Sequence, residues 1–176
     1  MIIIRERHDV RRRYEAALHL VGRKTANLAF SRALNRTGRP TFTAVKRALR
    51  KQTDIPRGLV DAGVTFKPAT SRTLQTAITG RGPYLPLQLF GARQFAYGVR
   101  AKVWGKHQQY RSAFIVSKFA GGAYKRLTPR RFPIRQLYGP SVGKELVKDQ
   151  SLSTFEASMP NVSARALHAL KRLREV

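Results

Sequence analysis

The side chains able to do acid–base, nucleophilic or metal chemistry are few in this chain, and their spacing sets none of them up for it. Cysteine is absent, which excludes a disulfide framework, thiolate zinc sites and a cysteine nucleophile. The four histidines, His8, His19, His107 and His168, are scattered, and no two stand at metal-ligand spacing. Glu6, Asp9 and Glu15 sit among arginines at the start of a helical pattern, where carboxylates serve as ion-pair partners. Glu145 and Asp149 stand four apart beside Lys144 and Lys148 and read as a solvated helix face. Asp54 and Asp61 flank a short helix without a partner base. Gly80-Arg81-Gly82 and Gly121-Gly122 lack the lysine and the strand–loop–helix setting of a phosphate loop, so both read as turns. No Gly-x-Ser-x-Gly and no Ser/His/Asp arrangement occurs. The expectation is a protein that is not an enzyme and uses no cofactor or metal.

What the chain has in quantity is positive charge. Lys and Arg number 35 against 9 Asp and Glu, a formal net charge of +26. Nearly all of it lies in residues 1–139; the last 37 residues carry six basic and four acidic side chains. A lone chain so charged repels itself, and a polyanion or an acidic partner relieves that and releases counterions. Arginine outnumbers lysine, 24 to 11, and arginine suits bidentate contact with phosphate or carboxylate. Solubility alone needs less charge than this. The cations expected to face DNA or a partner are Arg100, Lys102, Lys106, Arg111, Lys125, Arg126, Arg130 and Arg131. Tyr97, Trp104, Tyr110 and Tyr124 are interleaved with them. Such interleaving serves base stacking or, more often, one sheet face packed against a helix.

The elements that must position these residues follow from hydrophobic period. Residues 9–35 read as a helix, with Val10, Tyr14, Ala17, Leu18, Val21, Leu28 and Leu34 mostly three or four apart and Phe30 and Ala33 widening the stripe. Gly22 weakens it. Asn35-Arg36-Thr37-Gly38-Arg39-Pro40 reads as a stop and a loop. A second helix spans about 41–53, with Phe42, Val45, Ala48 and Leu49 on its apolar face and Arg47, Arg50 and Lys51 largely elsewhere. Pro56 starts a short third helix closed by Gly63. Period two then takes over: strands at 64–68, 73–80, 97–104, 113–116, 123–126 and 131–138, with Val99, Ala101 and Val103 on one face and Arg100, Lys102 and Trp104 on the other. Residues 84–95 read as a loop docking hydrophobics. The C-terminal part is helical. Ser153-Thr154-Phe155-Glu156 matches a capping box, Pro160 kinks or restarts the helix, and Val162, Ala166, Leu167, Leu170 and Leu173 form its last apolar face. The order predicts an α+β fold of long N-terminal helices, a central antiparallel sheet of about four to six strands, and C-terminal helices. A length of 176 residues with 42% apolar content suits one domain, 1–176, helical over 1–63, mostly β over 64–139 and helical over 140–176. The apolar start, Met1-Ile2-Ile3-Ile4, is too short for a signal segment, and no run of about 18 apolar residues exists to span a membrane.

The most specific stretch is 126–140. A basic lead-in, Arg126 to Arg131, runs into Phe132-Pro133-Ile134 and then Leu137-Tyr138-Gly139-Pro140. Pro133 has no N–H and suits a strand's first residue or a sheet edge. Ile134 and Tyr138 would share a strand face. Gly139-Pro140 would stop that strand, Gly139 by a backbone angle that a Cβ would strain and Pro140 by starting the next helix. The run Pro133-Ile134-x-x-Leu137-Tyr138-Gly139-Pro140-Ser141 resembles the minor tail protein Z family of tailed phages, and is similar to the wider group of tail-completion and neck proteins. The resemblance covers the whole element order. Ala33-Leu34-Asn35-Arg36-Thr37 also resembles that family's N-terminal helix ending in an Asn-Arg turn. The chain departs from the family in its arginine-rich middle and in its aromatic, leucine-rich 84–95 segment.

The resemblance implies a virion structural protein of the tail end or neck, completing the tail and supporting head–tail joining. It implies assembly in the host cytoplasm, a self-contacting ring that is hexameric by analogy with related tail-end proteins, and contact with other tail or neck proteins or with DNA in the lumen, not with a membrane. Charge alone also fits a basic nucleic-acid-binding module of the ribosomal-protein kind. A basic nuclease is disfavoured by the lack of a carboxylate cluster for metal.

Overall fold

The computed structural model of the protein describes residues 2–3, 15 and 22–174. A helix α1, Arg23–Thr53, runs into a short α2, Arg57–Gly63. Strands β2 (Val64–Lys67), β3 (Ala77–Gly80), β4 (Tyr84–Pro86), β5 (Arg93–Phe95), β6 (Gly98–Val103), β7 (Lys106–Arg111), β8 (Ala113–Val116), β9 (Gly122–Arg126), β10 (Ile134–Gln136) and β11 (Tyr138–Ser141) follow, and β1 is the pair Ile2–Ile3. Helices α3 (Val142–Glu145), α4 (Asp149–Ala157) and α5 (Met159–Arg174) close the chain. The α+β order is as expected, but one central sheet is not what forms. The described strands make four small antiparallel sheets, in the orders β1-β3-β2, β10-β9-β8, β11-β4 and β5-β6-β7.

Helix α1 overrides the expected stop at 35–40. Its buried residues, among them Ala26, Phe30, Leu34, Thr37, Gly38, Thr41, Val45, Leu49 and Thr53, recur about every four positions and make one long stripe. The buried threonines return their hydroxyls to the helix: Thr37 to Ala33 O at 3.2 Å, Thr41 to Thr37 O at 2.9 Å and Thr53 to Leu49 O at 2.7 Å. Pro40 cannot donate to Arg36 O four residues back, and that carbonyl instead accepts from Arg165 Nη1 at 3.1 Å. A Cβ on Gly38 would lie 3.0 Å from the Phe66 ring, so glycine here admits a strand side chain against the helix. Asn35 ends no helix. Its amide donates to Ala69 O at 2.9 Å and accepts the Ala69 N–H at 2.7 Å, clamping the loop between β2 and β3. At the other end of the predicted first helix, Gly22 lies outside α1 with φ +82°, Leu28 is exposed, and Glu6, Asp9, Val10, Tyr14, Ala17, Leu18 and Val21 fall outside the described residues.

The main core gathers Val45 and Leu49 of α1, Val60 of α2, Ile78 of β3, the inward face of β6, Leu146 just past α3, and Phe155 of α4. A smaller cluster of Phe30, Ala33, Leu34 and Ala69 packs with Leu74 and with Ala169 of α5. Helices α4 and α5 both lie along α1. Pro160 sits in the first turn of α5, just past the break at Ser158, so the expected restart is there. The capping box is not: Ser153 and Thr154 lie inside α4 and bond back to Gln150 O at 3.2 and 2.6 Å. The side chains of Val162, Ala166, Leu167, Leu170 and Leu173 lie outside the described residues. Residues 84–95 form β4, a 3-10 turn at Leu87–Phe90 and β5, not a loop, with Leu87 and Phe90 buried.

Candidate functional site

The β5-β6-β7 sheet is the platform for the first group of cations. Val99, Ala101 and Val103 are at most 1% exposed and anchor β6 to the core. Alternation therefore turns Arg100 and Lys102 outward. Register sets Arg93 and Gln109 on either side of Arg100, His107 beside Lys102, and Phe95 and Arg111 on either side of Gly98. Arg100, Lys102 and Arg111 thus share one outward face with Arg93. The Arg100 guanidinium lies 5.6 Å from the Phe95 ring centre, and Phe95 stacks on Tyr97 at 5.4 Å and 7°. Lys106 does not join this face. It pairs with Val103 and so projects from the opposite side at the hairpin end. Gln94 stitches the sheet to its neighbour: its Nε2 donates to the carbonyls of Phe95 and Gly98 at 3.1 Å each, and its Oε1 accepts the Ile115 N–H at 2.9 Å.

The hairpin turn between β6 and β7 is Trp104-Gly105, both at positive φ (52° and 72°), the backbone of a type I′ turn. This turn is tied to the end of α1. Asp54 Oδ2 accepts the Gly105 N–H at 2.7 Å, Asp54 Oδ1 pairs with Lys102 Nζ at 3.0 Å, and Thr53 O accepts the Trp104 N–H at 3.4 Å. Asp61 is likewise paired. Lys46 Nζ donates to it at 2.7 Å, and that hydrogen bond holds its carboxyl below the usual carboxylate value; Arg57 Nε lies 3.4 Å from its other oxygen. At the end of α1 opens a groove of about 470 Å³, lined by Arg47, Arg50, Lys51 and Asp54 of α1 and its cap, by Ile55 and Pro56, and by Arg57.

The remaining predicted cations do not converge on one face. Lys125 and Arg126 are successive residues of β9 and point to opposite sides of the β10-β9-β8 sheet. Arg126 lies over the Phe114 ring at 5.1 Å. Arg130 and Arg131 are exposed on the loop joining β9 to β10, with Arg131 5.8 Å from the Phe132 ring centre. This loop also exposes Leu127 at 60% and Phe132 at 62%. Of the aromatics, Tyr97 and Trp104 are exposed, Tyr110 is half-buried, and Tyr124 meets Phe119 edge-on at 5.6 Å.

The expected 131–138 strand is two strands. Ile134, Arg135 and Gln136 pair with β9, Leu137 donates its N–H to Ala123 O at 2.8 Å, and Tyr138–Ser141 turn to pair with β4. Ile134 and Tyr138 therefore lie in different sheets. Gly139-Pro140 does not end a strand. Both residues are buried within β11, and the helix begins at Val142. Gly139 is needed for space, not for its backbone angle. A Cβ there would fall 2.9 Å from Phe90 Cε2 and 3.3 Å from Val103 Cγ1. Gly139→Val should cost about 1–3 kcal/mol by overpacking this junction. Urea unfolding with an unchanged midpoint would contradict the packing.

Glu145 is not on a solvated face. It is 6% exposed, 3.5 Å from Lys148 Nζ and 3.5 Å from Gln52 Nε2. Among the described residues no group of three or more His, Asp or Glu could hold a metal ion, and no helix is long and apolar enough to cross a membrane. Arg47, Arg50 and Lys51 lie off the apolar face of α1, as their spacing predicts, but no spacing in the sequence predicts the groove. Their i, i+3, i+4 spacing puts them on one side of α1; the opposing Arg57 comes from another element. No family model, no curated protein and no solved structure matches this chain.

Proposed function

We propose that this chain is a structural subunit of a phage tail end or neck, completing the tail and supporting the joining of head to tail as a member of a ring. The observation that carries this reading is the segment Phe132–Ser141. It bears the resemblance to the minor tail protein Z family, and it builds an open sheet edge. Strand β10 is the edge of its sheet, and the loop before it exposes Leu127, Phe132, Arg130 and Arg131 together. An open edge beside exposed apolar side chains is what a neighbouring subunit can extend or cover, and the arginines suit an acidic ring surface. The mechanism is assembly: burial of faces and edges between copies and neighbours, with no bond chemistry.

The test is electron microscopy of phage particles made with and without this protein. Without it, heads and tails should accumulate unjoined. Joined, fully infectious particles lacking the chain would overturn the reading, as would recovery of the protein with RNA-bearing ribosomes and not with tails.

A further inference from the structure

We propose that the groove between the end of α1 and the start of α2 binds the phosphodiester backbone of duplex nucleic acid. Arg47, Arg50 and Lys51 line one wall and are exposed, and among the described residues none of the three is in an ion pair. Arg57 lines the groove with them and is itself paired with Asp61 at 3.4 Å, so the unpaired charge rests on Arg47, Arg50 and Lys51. The one carboxylate in the lining, Asp54, has both oxygens engaged, by the Gly105 N–H and by Lys102, so it does not neutralise them. Cations at a helix C-terminus offset the helix dipole, but that effect is confined to the last turn. Arg47 lies before it, and only Arg50 and Lys51 are in it.

The form of the groove favours a long polyanion over a small one. It is open, its donors are on flexible exposed side chains, and it has no buried donor aimed inward to enclose a single phosphate. It also continues. Asp54 and Lys102 join it to the outward face of β6, where Arg100, Arg93 and Arg111 stand in neighbouring rows, with Trp104 exposed at the junction. A duplex presents one charge per roughly 1.7 Å of axis and suits such a track. This assignment goes beyond the assembly reading, which needs no nucleic acid here, and its test reads the free protein, so either can fail without the other.

The experiment is fluorescence anisotropy of the purified full chain with a short labelled DNA duplex between about 50 and 200 mM salt, with duplex RNA of equal length as second probe. The wild type should bind with steep salt dependence. Arg47→Gln/Arg50→Gln/Lys51→Gln should weaken binding at least about tenfold and lower the slope of log K against log salt by about 2.7, roughly 0.9 per lost phosphate contact. Arg47→Lys/Arg50→Lys should keep the slope. The control, Lys24→Gln/Arg32→Gln/Arg72→Gln, removes equal charge toward the other end of α1. At about 1.5 Å per helical residue Lys24 and Arg32 lie roughly 20 Å or more from Arg47, beyond a Debye length of about 8–10 Å, and Arg72 follows Ser71, whose carbonyl accepts from Asn27 Nδ2 of α1 at 2.8 Å. It should lose less than about threefold. Equal losses from both triples would show a general field with no site, and would overturn the proposal, as would no binding by the wild type. Displacement of the duplex by poly-L-glutamate at equal anionic charge would overturn it in favour of an acidic protein surface. Tighter binding of either duplex identifies the source of the backbone and supports the site.

Discussion

Gly98→Val is expected to destabilise the chain by about 3 kcal/mol or more, enough to leave little folded protein at a marginal stability. Two costs meet at this residue. Its φ is +142°, a conformation that a side chain strains. A Cβ built on it would also run into the Tyr110 carbonyl oxygen, and would lie 3.1 Å from Ser112 N and 3.2 Å from Arg111 Cα. The obstacle is backbone, held by the β6–β7 ladder, so it cannot swing aside. Gly105→Ala separates the two costs. Gly105 has φ +72° with nothing within 4 Å of a Cβ, so alanine there should cost only about 1 kcal/mol of backbone strain. Thermal and urea unfolding of Gly98→Val, Gly98→Ala and Gly105→Ala would check this. Equal midpoints for Gly98→Ala and Gly105→Ala would refute the clash. Because Gly98 registers Phe95 against Arg111, its loss should also scatter the arginine rows on the outward face.

The legible parts of the fold were those whose own sequence pattern matched their burial. Val99, Ala101 and Val103 alternate and are buried; Ala113–Val116 and Gly122–Arg126 pair across Gly121 as a hairpin-like pair should. Strand β7, Lys-His-Gln-Gln-Tyr-Arg, has no apolar face and stays largely exposed. Only the Trp104-Gly105 turn before it could have announced it. The α1 stop failed for a different reason. Gly38 and Pro40 are local breakers, and distant residues, Phe66 and Arg165, turn each into a fitted contact. The same division runs through the candidate surface. Arg100 and Lys102 were legible as one face because strand period places both; Trp104, expected beside them, falls in the hairpin turn, and Arg111 joins them only through the pairing of β7 with β6. Lys102 also serves as the ion-pair partner of Asp54, a residue 48 positions earlier, which no spacing rule reveals. The groove was hidden because the left-handed turn at Asp54 (φ 59°) sets how α2 leaves α1, and the Lys46–Asp61 pair that joins the two helices spans 15 positions.

That turn rests on the C-terminal helices, which makes Phe155 the second large lever. Phe155 is 2% exposed in the main core, and α4 lies along α1. Just before the turn, Gln52 Oε1 accepts from the N–H and hydroxyl of Ser151 at 3.2 Å each, and Gln52 Nε2 donates to Glu145 O at 3.3 Å. Phe155→Ala removes a large ring and leaves a cavity that the surrounding helices can only partly close, at a cost of about 3–5 kcal/mol. Leu152→Ala, at a half-buried site beside the same core, should cost less, about 1–2 kcal/mol, since less of that side chain leaves water on folding. Urea unfolding followed by both backbone dichroism and Trp104 fluorescence reads the result at two places. The Trp104 N–H is bonded to Thr53 O at the end of α1, so both probes should move together to a lower midpoint in Phe155→Ala. If the dichroism falls while the Trp104 transition stays put, α4 unfolds apart from the α1 end, and the Gln52 contacts do not hold the groove in shape. A loss below about 1 kcal/mol would remove Phe155 from the core altogether.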